Sequence, residues 1–535
     1  MKFKLPLIIA VSMVVLGCDP GLPEGSNDFA AGGTATALSQ GEFNTLSAED
    51  QYKVANKLLG TMFRGVAAED FFDLTAGTAN LQPQSKTFLI ETKAALARDM
   101  SNAEVLAHDT IIDGLDAEGN PVPADAKYIF NGRRPQQLPL ARIKQYAISR
   151  DMFVHWMAYV LANTIMFSPA EEMESTDLAD VQNMYRFLAT NLDKDTPIRQ
   201  IIRSNLSTLA RWRVSRSPEN HALEAYELYL GLFETEEDSL RGGIACKDLY
   251  LTPEDEDYLI RRTDFPNTEP QLILETNYVT VCDDLYDVIA GHPLIIPRVT
   301  EVIINYFFSG RPLEVRTSMI ASITASSPET FEDIFKAILY SKEYLLNTER
   351  PKTIEENMLS LMDILKWDPA ANQGEVDERI FIRMTSNNVN DRIGLPAMNW
   401  NSMTYKIGRL PDVPADGLSF ASYHKGVREE FLMLDASYEG GVNGATGLFY
   451  DDTGTVWPHI EQMSLSEFAD FLFLSSLHRK ATAVEKADLQ TLYDAAGHTD
   501  NAGVDVRTGR QDEIARITFD YISRLPEFYY FKAIN

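Results

Sequence analysis

Long apolar runs and basic residues are both scarce in this chain. Beyond residue 16, no stretch approaches the roughly 18 consecutive apolar residues of a membrane-spanning helix. The chain has 48 Lys and Arg against 78 Asp and Glu, which gives a formal net charge of −30. A field of this sign repels nucleic-acid phosphates at long range. We therefore expect no second membrane segment and no nucleic-acid partner.

The motifs of common catalytic and cofactor sites are also missing. The sequence has no His-Glu-x-x-His, no Gly-x-Ser-x-Gly and no Cys-x-x-Cys-His, and the glycine-rich residues 440–447 fit neither nucleotide-binding fingerprint. We predict no metal and no cofactor. The sequence leaves open whether the protein is an enzyme.

Residues 1–18 have the features of a bacterial lipoprotein signal peptide. Lys2 and Lys4 precede an apolar run over 5–16, which is too short to span a hydrocarbon core of ~30 Å. Residues 15–18, Val-Leu-Gly-Cys, then have the form of a bacterial lipobox. We predict that Cys18 carries the acyl chains that hold the protein on a membrane. The alternative is an ordinary secretory peptide with an incidental cysteine.

The predicted anchor implies a cellular location, and the residues after it are predicted to form a tether. A lipid on Cys18 places the protein in the bacterial cell envelope, on the periplasmic side of the inner membrane or at the outer membrane. Residues 19–47 are rich in Gly, Ala, Ser and Thr, and such a composition favours a flexible tether.

Only three cysteines occur, and Cys18 is assigned to lipid. Because the envelope is oxidising, we predict a disulfide between Cys246 and Cys282. Closing a loop of this length stabilises a fold by about 3–4 kcal/mol on the chain-entropy account. Two free thiols or two metal ligands are the alternatives.

The helix signals predict a mainly α protein: a large all-α, multi-helical body with long irregular loops. Capping residues precede apolar runs of helical period throughout the chain, and no βαβ alternation is seen. We predict a helical core over 48–368, a loop-rich region over 369–460 and a C-terminal helical segment over 461–535. The predicted N-terminal caps are Ser47, Thr196, Ser217, Thr252, Ser327, Thr353, Ser464 and Thr482.

One predicted helix gathers the weak candidates for a catalytic site. After Ser217, the residues Glu219, His221, Glu224 and Glu227 follow at spacings that let them surround a ligand or a metal. Their order is His-x-x-Glu, the reverse of the Glu-x-x-His of di-iron bundles, and only one such helix is evident. The alternative is structural, with these carboxylates paired to arginines nearby.

Three patches between about 150 and 370 resemble a bacterial family catalogued as domain of unknown function eighteen hundred. The helix after Ser217 is similar to the family's Pro-Asn-Glu-Asn helix, although Leu223 stands where the family has arginine. The other two patches are His292-Pro293 with the helix after it, and Ser341-Lys342-Glu343-Tyr344 with Lys352 and Glu355 or Glu356 behind. The resemblance implies an exported protein with no known reaction, often encoded beside a sulfatase-like partner.

Three functions follow as hypotheses. The leading one is an envelope lipoprotein that acts as a helical scaffold or binding module with a partner protein. The second is a hydrolase or metal-dependent enzyme that uses the Glu219–Glu227 helix. The third is a polysaccharide-binding surface lipoprotein that uses Trp400, Tyr423 and Trp457 of the loop-rich region.

Overall fold

A computed structural model describes residues 35–74, 78–100, 143–144, 146–162, 164–166, 178–252, 259–365, 463–498 and 510–534. Of these residues 62% are helical and 6% are in strands, which confirms the predicted mainly α class. The predicted signal peptide and Cys18, most of the tether and most of the loop-rich region lie outside the described residues. Within the described part, no helix combines the length and apolarity needed to cross a membrane.

The helices follow one another along most of the described chain. In the first part they are α1 (Gln40–Thr45), α2 (Ala48–Thr61), α3 (Ala68–Phe71), α4 (Phe88–Ala95), α5 (Arg150–Ala162), α6 (Leu178–Asp193), α7 (Ile198–Leu206), α8 (Leu209–Ser215), α9 (Pro218–Leu230) and α10 (Glu236–Ala245). In the second part they are α11 (Cys282–Gly291), α12 (Ile295–Phe307), α13 (Leu313–Ala325), α14 (Phe331–Leu339), α15 (Ile354–Ile364), α16 (Leu465–Leu477), α17 (Ala483–Ala495) and α18 (Arg510–Ile522), with a π turn at Glu343–Asn347 and a 3₁₀ turn at Pro526–Tyr529.

The described strands are short and form three antiparallel pairs. Two local hairpins pair β1 (Leu249–Leu251) with β2 (Leu259–Arg261) and β3 (Gln271–Ile273) with β4 (Asn277–Val279). The third pair is long-range, since β5 (Arg350–Pro351) joins β6 (Tyr530–Phe531) with Arg350 opposite Phe531. This pair fixes the C-terminal segment 526–534 against the middle of the chain.

Five of the predicted N-terminal caps are confirmed. Ser47, Ser217, Thr353, Ser464 and Thr482 each accept a hydrogen bond from the backbone N–H three residues later. In the last three cases a glutamate at that position completes a capping box. Such bonds satisfy backbone groups that the first helical turn leaves without partners, so the signal is local and readable from sequence.

Two predicted caps are wrong because other residues occupy the cap positions. Pro197 rather than Thr196 occupies the cap position of α7, and the N–H of Ile198 donates to the carbonyl of Glu329 at 2.9 Å. Thr330 rather than Ser327 caps α14, and it forms a capping box with Asp333. For Thr252, residues 253–258 lie outside the described part, so its helix stays a prediction.

The predicted disulfide is present between Cys246 and Cys282, whose Cα atoms are 4.4 Å apart. Cys246 follows the last turn of α10, and Cys282 is the first residue of α11. Both cysteines are fully buried. The bond joins the ends of a loop that contains both local hairpins.

The core is one contiguous apolar cluster that draws on nearly every described helix. Trp156 of α5 lies fully buried within it, and its indole N–H donates to the carbonyl of Thr61 at 2.8 Å. Its ring packs against Phe153 and Phe335, with centroids 5.6 and 5.2 Å away. The same cluster includes Phe528 and Tyr529, so the C-terminal segment is part of the core.

Candidate functional site

The sequence-predicted helix forms as α9, and His221 on it is a core residue. The ring is fully buried and stacks on Trp212 with centroids 4.3 Å apart. Its Nδ1 shares a hydrogen bond of 3.0 Å with the Ser215 hydroxyl. Burial, together with the charge of Arg211, lowers the pKa of His221 to about 3. The imidazole is therefore neutral at physiological pH and packs as an apolar ring.

The three glutamates of α9 take separate positions. Glu219 is exposed, whereas Glu224 forms an ion pair with the buried Arg211 and accepts a hydrogen bond of 2.8 Å from Asn220. Glu227 is half-buried, and burial with the neighbouring Glu224 charge raises its pKa. The Glu224–Arg211 pair matches the structural alternative for this helix, in which carboxylates pair with nearby arginines.

The described residues give no support to a metal site or to a second histidine site. Within the described part of the chain, no group of three or more His, Cys, Asp or Glu side chains is arranged to hold a metal ion. His155 is buried and shares a hydrogen bond of 2.5 Å with the Tyr185 hydroxyl. The aromatic candidates Trp400, Tyr423 and Trp457 lie outside the described residues.

Positive charge is concentrated elsewhere, around a cavity of about 100 Å³. The cavity lies where α2, the chain after β5, the end of α16 and the C-terminal segment 526–534 meet. Its five basic lining residues are Lys53, Lys57, Lys352, Arg479 and Lys532. Its other lining residues are Ser476, Leu477, His478, Glu527, Tyr530 and Phe531. We call this cavity the basic pocket.

Two buried lysines belong to the floor of the basic pocket. Lys57 is 3% exposed, and its ammonium donates to the backbone carbonyls of Thr348 and Lys532. Lys352 is 6% exposed; its backbone N–H donates to the carbonyl of Tyr529 at 2.8 Å, and its ammonium lies 5.4 Å from the ring centroid of Phe531. Backbone contacts therefore hold both residues in place.

Charges of both signs surround the floor lysines. Burial lowers the pKa of Lys57 well below its usual value; the charge of Arg350 adds to that effect, whereas Glu349 and Glu343 oppose it. Burial also lowers the pKa of Lys352, to about 8, although Glu356 partly opposes this. Within the described residues, Lys57 has no carboxylate within ion-pair distance. An anion near a buried lysine stabilises the charged ammonium and so raises the pKa of that lysine.

Two polar atoms of the floor residues form no hydrogen bond with the described part of the chain. Ser476 is 3% exposed, and its Oγ has no hydrogen-bond partner among the described residues. The same holds for the Nδ1 of His478, which is shielded from solvent. Buried polar atoms without partners are rare because each one costs about 1–3 kcal/mol. Both residues are among those that line the basic pocket.

His478 reaches the pocket through an unusual backbone conformation. It follows the last turn of α16 with φ 59° and ψ 28°, and its N–H donates to the carbonyl of Leu474. Glycine is the usual residue at such left-handed helix ends, because a side chain there is strained. The ring packs edge-on against Tyr52 with centroids 5.5 Å apart.

The rim of the basic pocket is more exposed and already partly neutralised. The side chains of Lys53 and Lys532 are 29% and 38% exposed, and each contacts a carboxylate, Asp50 at 3.2 Å and Glu349 at 2.9 Å. The Glu527 carboxylate also lines the rim, where Arg479 contacts it at 2.7 Å. The rim cations therefore already have carboxylate partners.

Arg479 links the rim to α17. Its guanidinium contacts both carboxylate oxygens of Glu485 at 2.8 Å. Burial alone would raise the pKa of Glu485, but the bonds from Arg479 and the cap residue Thr482 lower it to about 2. The guanidinium fork is therefore occupied by a protein carboxylate.

Sequence reasoning missed the basic pocket because its residues are far apart in the chain. The contact between Lys57 and Lys532 spans 475 residues. One signal was available in the sequence. Lys57 lies on the apolar face of the helix predicted after Ser47, where a charged side chain is unusual. Lys352 stands out in the sequence only through the family resemblance, and no motif marks His478 or Arg479 as site residues.

Comparison with protein families and with known proteins finds no relative. No family model matches the chain, and neither the curated proteins nor the solved structures provide a significant match.

Proposed function

We propose that this protein is a lipid-anchored module of the bacterial cell envelope that binds a small anion in the basic pocket. The observation that carries the proposal is the pocket itself, in which five basic side chains meet in a chain of net charge −30. A concave site with converging polar groups and shifted pKa values is the default candidate for ligand binding.

The envelope location has two supports. The lipobox at residues 15–18 predicts the anchor on Cys18. The Cys246–Cys282 disulfide supports an oxidising compartment, since such bonds are rare in the cytosol. Membership of the family catalogued as domain of unknown function eighteen hundred is likewise proposed, and so is the sulfatase-like partner that it implies.

The competing enzyme hypothesis has less support. It needs Glu219, His221, Glu224 and Glu227 to act together, yet His221 is buried against Trp212 and Glu224 is paired with Arg211. Binding rather than catalysis is therefore the function that we propose, and the scaffold role of the helical body is to hold the pocket.

The anchor can be tested by replacing Cys18. We expect the Cys18→Ser variant to leave the membrane fraction, because the acyl chains have no other attachment point, while its Cys246–Cys282 disulfide still forms. Fractionation with a thiol-alkylation assay measures both. Membrane retention of the variant, or free thiols at both positions in envelope material, would contradict the proposed location.

The pocket can be tested by calorimetry on the full chain in detergent. We expect at least one of phosphate, sulfate and succinate to bind saturably at constant ionic strength. Lys352→Gln should weaken binding by about tenfold, since it removes a buried charge from the floor. Glu227→Gln, which removes a carboxylate of α9 instead, should not weaken binding. Binding that is sensitive to Glu227 and insensitive to Lys352 would place the site on α9 instead.

A further inference from the structure

We propose that the protein rests on the anionic headgroups of its own membrane through the surface at which the N-terminal chain joins the helical body. We call this surface the basal face and define it by Lys86, Ile90, Lys93 and Lys342. The inference rests on the proposed lipid anchor at Cys18 and does not depend on the basic pocket.

The first described residues fix the chain at one place on the body. The carbonyl of Thr36 accepts a hydrogen bond of 2.9 Å from the N–H of Lys342. The N–H of Leu38 donates to the carbonyl of Tyr340 at 2.8 Å, and the Leu38 side chain is buried in the core. The chain that comes from the anchor therefore joins the body beside Lys342.

This point is close to the anchor along the chain. Residues 19–34 separate Cys18 from Ala35, and a chain of this length spans at most about 60 Å. As the predicted Gly-, Ala-, Ser- and Thr-rich tether, it has an r.m.s. length of about 20–25 Å. A surface tethered this closely meets the membrane at an effective concentration on the order of millimolar, so weak contacts are enough for docking.

Two further lysines of the basal face lie next to the same point. The ammonium of Lys93 is 4.7 Å from the ring centroid of Tyr340, whose carbonyl binds Leu38. Lys86 is held against α1, because its carbonyl accepts a hydrogen bond of 2.9 Å from Asn44. Both lysines are exposed, and neither forms an ion pair within the described part of the chain. Their charges are therefore available to headgroups.

The sequence around this point is poor in acidic residues. Segments 35–47 and 74–98 together contain two of them, Glu42 and Glu91, against three basic residues, in a chain that has 78 acidic and 48 basic residues. Lys342 contacts Glu42 at 2.5 Å and so offsets one of the two. Because salt screens charges beyond about 8–10 Å, the local charge rather than the net charge of −30 decides contact with a membrane.

An exposed apolar side chain accompanies the lysines. Ile90 is 56% exposed and precedes Lys93 by three residues on α4, so the two share a face of that helix. Helices that lie on a bilayer combine these side chains, since lysines contact the headgroups while apolar groups enter the acyl boundary. Ile90 thus adds an apolar contact to the charged one.

Acylation of lysines on the membrane-bound protein tests the inference. The full lipidated chain is bound to vesicles of phosphatidylcholine with or without phosphatidylglycerol, treated with an amine-reactive reagent and analysed by peptide mass spectrometry. One cation near an anionic surface changes binding by about fivefold, so acylation of Lys86 and Lys93 should slow by at least about fivefold on the anionic vesicles. Lys247 is the matched control, because its ammonium also lies over an aromatic ring, 4.8 Å from the centroid of Phe265. Its rate should stay unchanged.

Charge reversal gives an independent readout. The double variant Lys86→Glu and Lys93→Glu should abolish the protection of Lys342 on anionic vesicles, because headgroups then repel the basal face. Lys247→Glu makes the same kind of change elsewhere and should leave that protection in place. Both variants keep Cys18, so flotation with the vesicles should not change.

Three results would overturn the inference. Equal acylation on anionic vesicles, on neutral vesicles and in detergent would show that the basal face stays in solution. Protection of Lys247 equal to that of Lys93 would show adsorption without a preferred face, and equal protection on both kinds of vesicle would show that headgroup charge is not recognised. In each case flotation still supports the anchor. If the wild-type chain does not float with vesicles, the anchor and the basal face both fail.

Discussion

Replacing Glu356 with glutamine is expected to lower the free energy of unfolding by about 3–5 kcal/mol. Glu356 and Arg350 are 1% and 3% exposed, and the carboxylate accepts hydrogen bonds of 2.7 and 2.5 Å from the guanidinium. It also accepts the backbone N–H of Thr353 at 2.8 Å. Glutamine keeps the size of the side chain but leaves the Arg350 charge buried and uncompensated.

A matched control separates the ion pair from the helix cap. Glu467 completes the capping box of α16 as Glu356 does for α15, but no ion pair of Glu467 is seen among the described residues. Glu467→Gln should therefore cost about 1 kcal/mol or less in urea denaturation. If Glu356→Gln costs no more than this control, the buried pair contributes little to stability.

The charge and the packing of the pair can also be separated. Replacing both partners by apolar residues of similar size, Arg350→Met with Glu356→Leu, removes the buried charge and should recover much of the lost stability. The double variant tests whether the uncompensated guanidinium, rather than altered packing, causes the loss.

Removing the disulfide is expected to cost about 3–4 kcal/mol. The bond joins residues that are 36 apart in sequence, and the unfolded chain gains conformational freedom when it is absent. A double Cys246→Ala and Cys282→Ala variant should therefore unfold at a lower denaturant concentration. The region it frees contains both local hairpins, between α10 and α11.

Reductant gives the control for this prediction. Dithiothreitol should shift the unfolding midpoint of the wild type toward that of the double variant, and it should leave the double variant unchanged. A wild-type midpoint that does not move with reductant would show that the bond adds nothing to stability.

Much of the fold was accessible from sequence because its signals are local. The cap at Ser464 and its partner Glu467 are three residues apart, so a reader of the sequence sees both halves of the motif. The disulfide was accessible for another reason, since Cys246 and Cys282 are the two cysteines left once Cys18 is assigned to lipid. Neither inference needs any knowledge of tertiary contacts.

The features that could not be predicted from sequence depend on tertiary contacts. Thr196 has the sequence of a cap, yet the carbonyl of Glu329 satisfies the first N–H of α7 in its place. The polar helix after Ser217 was predicted correctly, but periodicity could not show that His221 stacks on Trp212. The basic pocket is the extreme case, because Lys57 and Lys532 become neighbours only in the folded protein.

The pairing of β6 with β5 has a consequence for the basic pocket, because the C-terminal segment forms part of its lining. The C-terminal segment supplies Tyr530, Phe531 and Lys532 to the pocket. The two residue pairs of β6 hold it there together with the buried Phe528 and Phe531. Opening of this segment alone exposes less buried surface than global unfolding and needs less free energy. We expect amide hydrogen exchange in this segment to slow when the pocket is filled. If an anion binds there as we propose, the bound form should also be the more resistant to proteases.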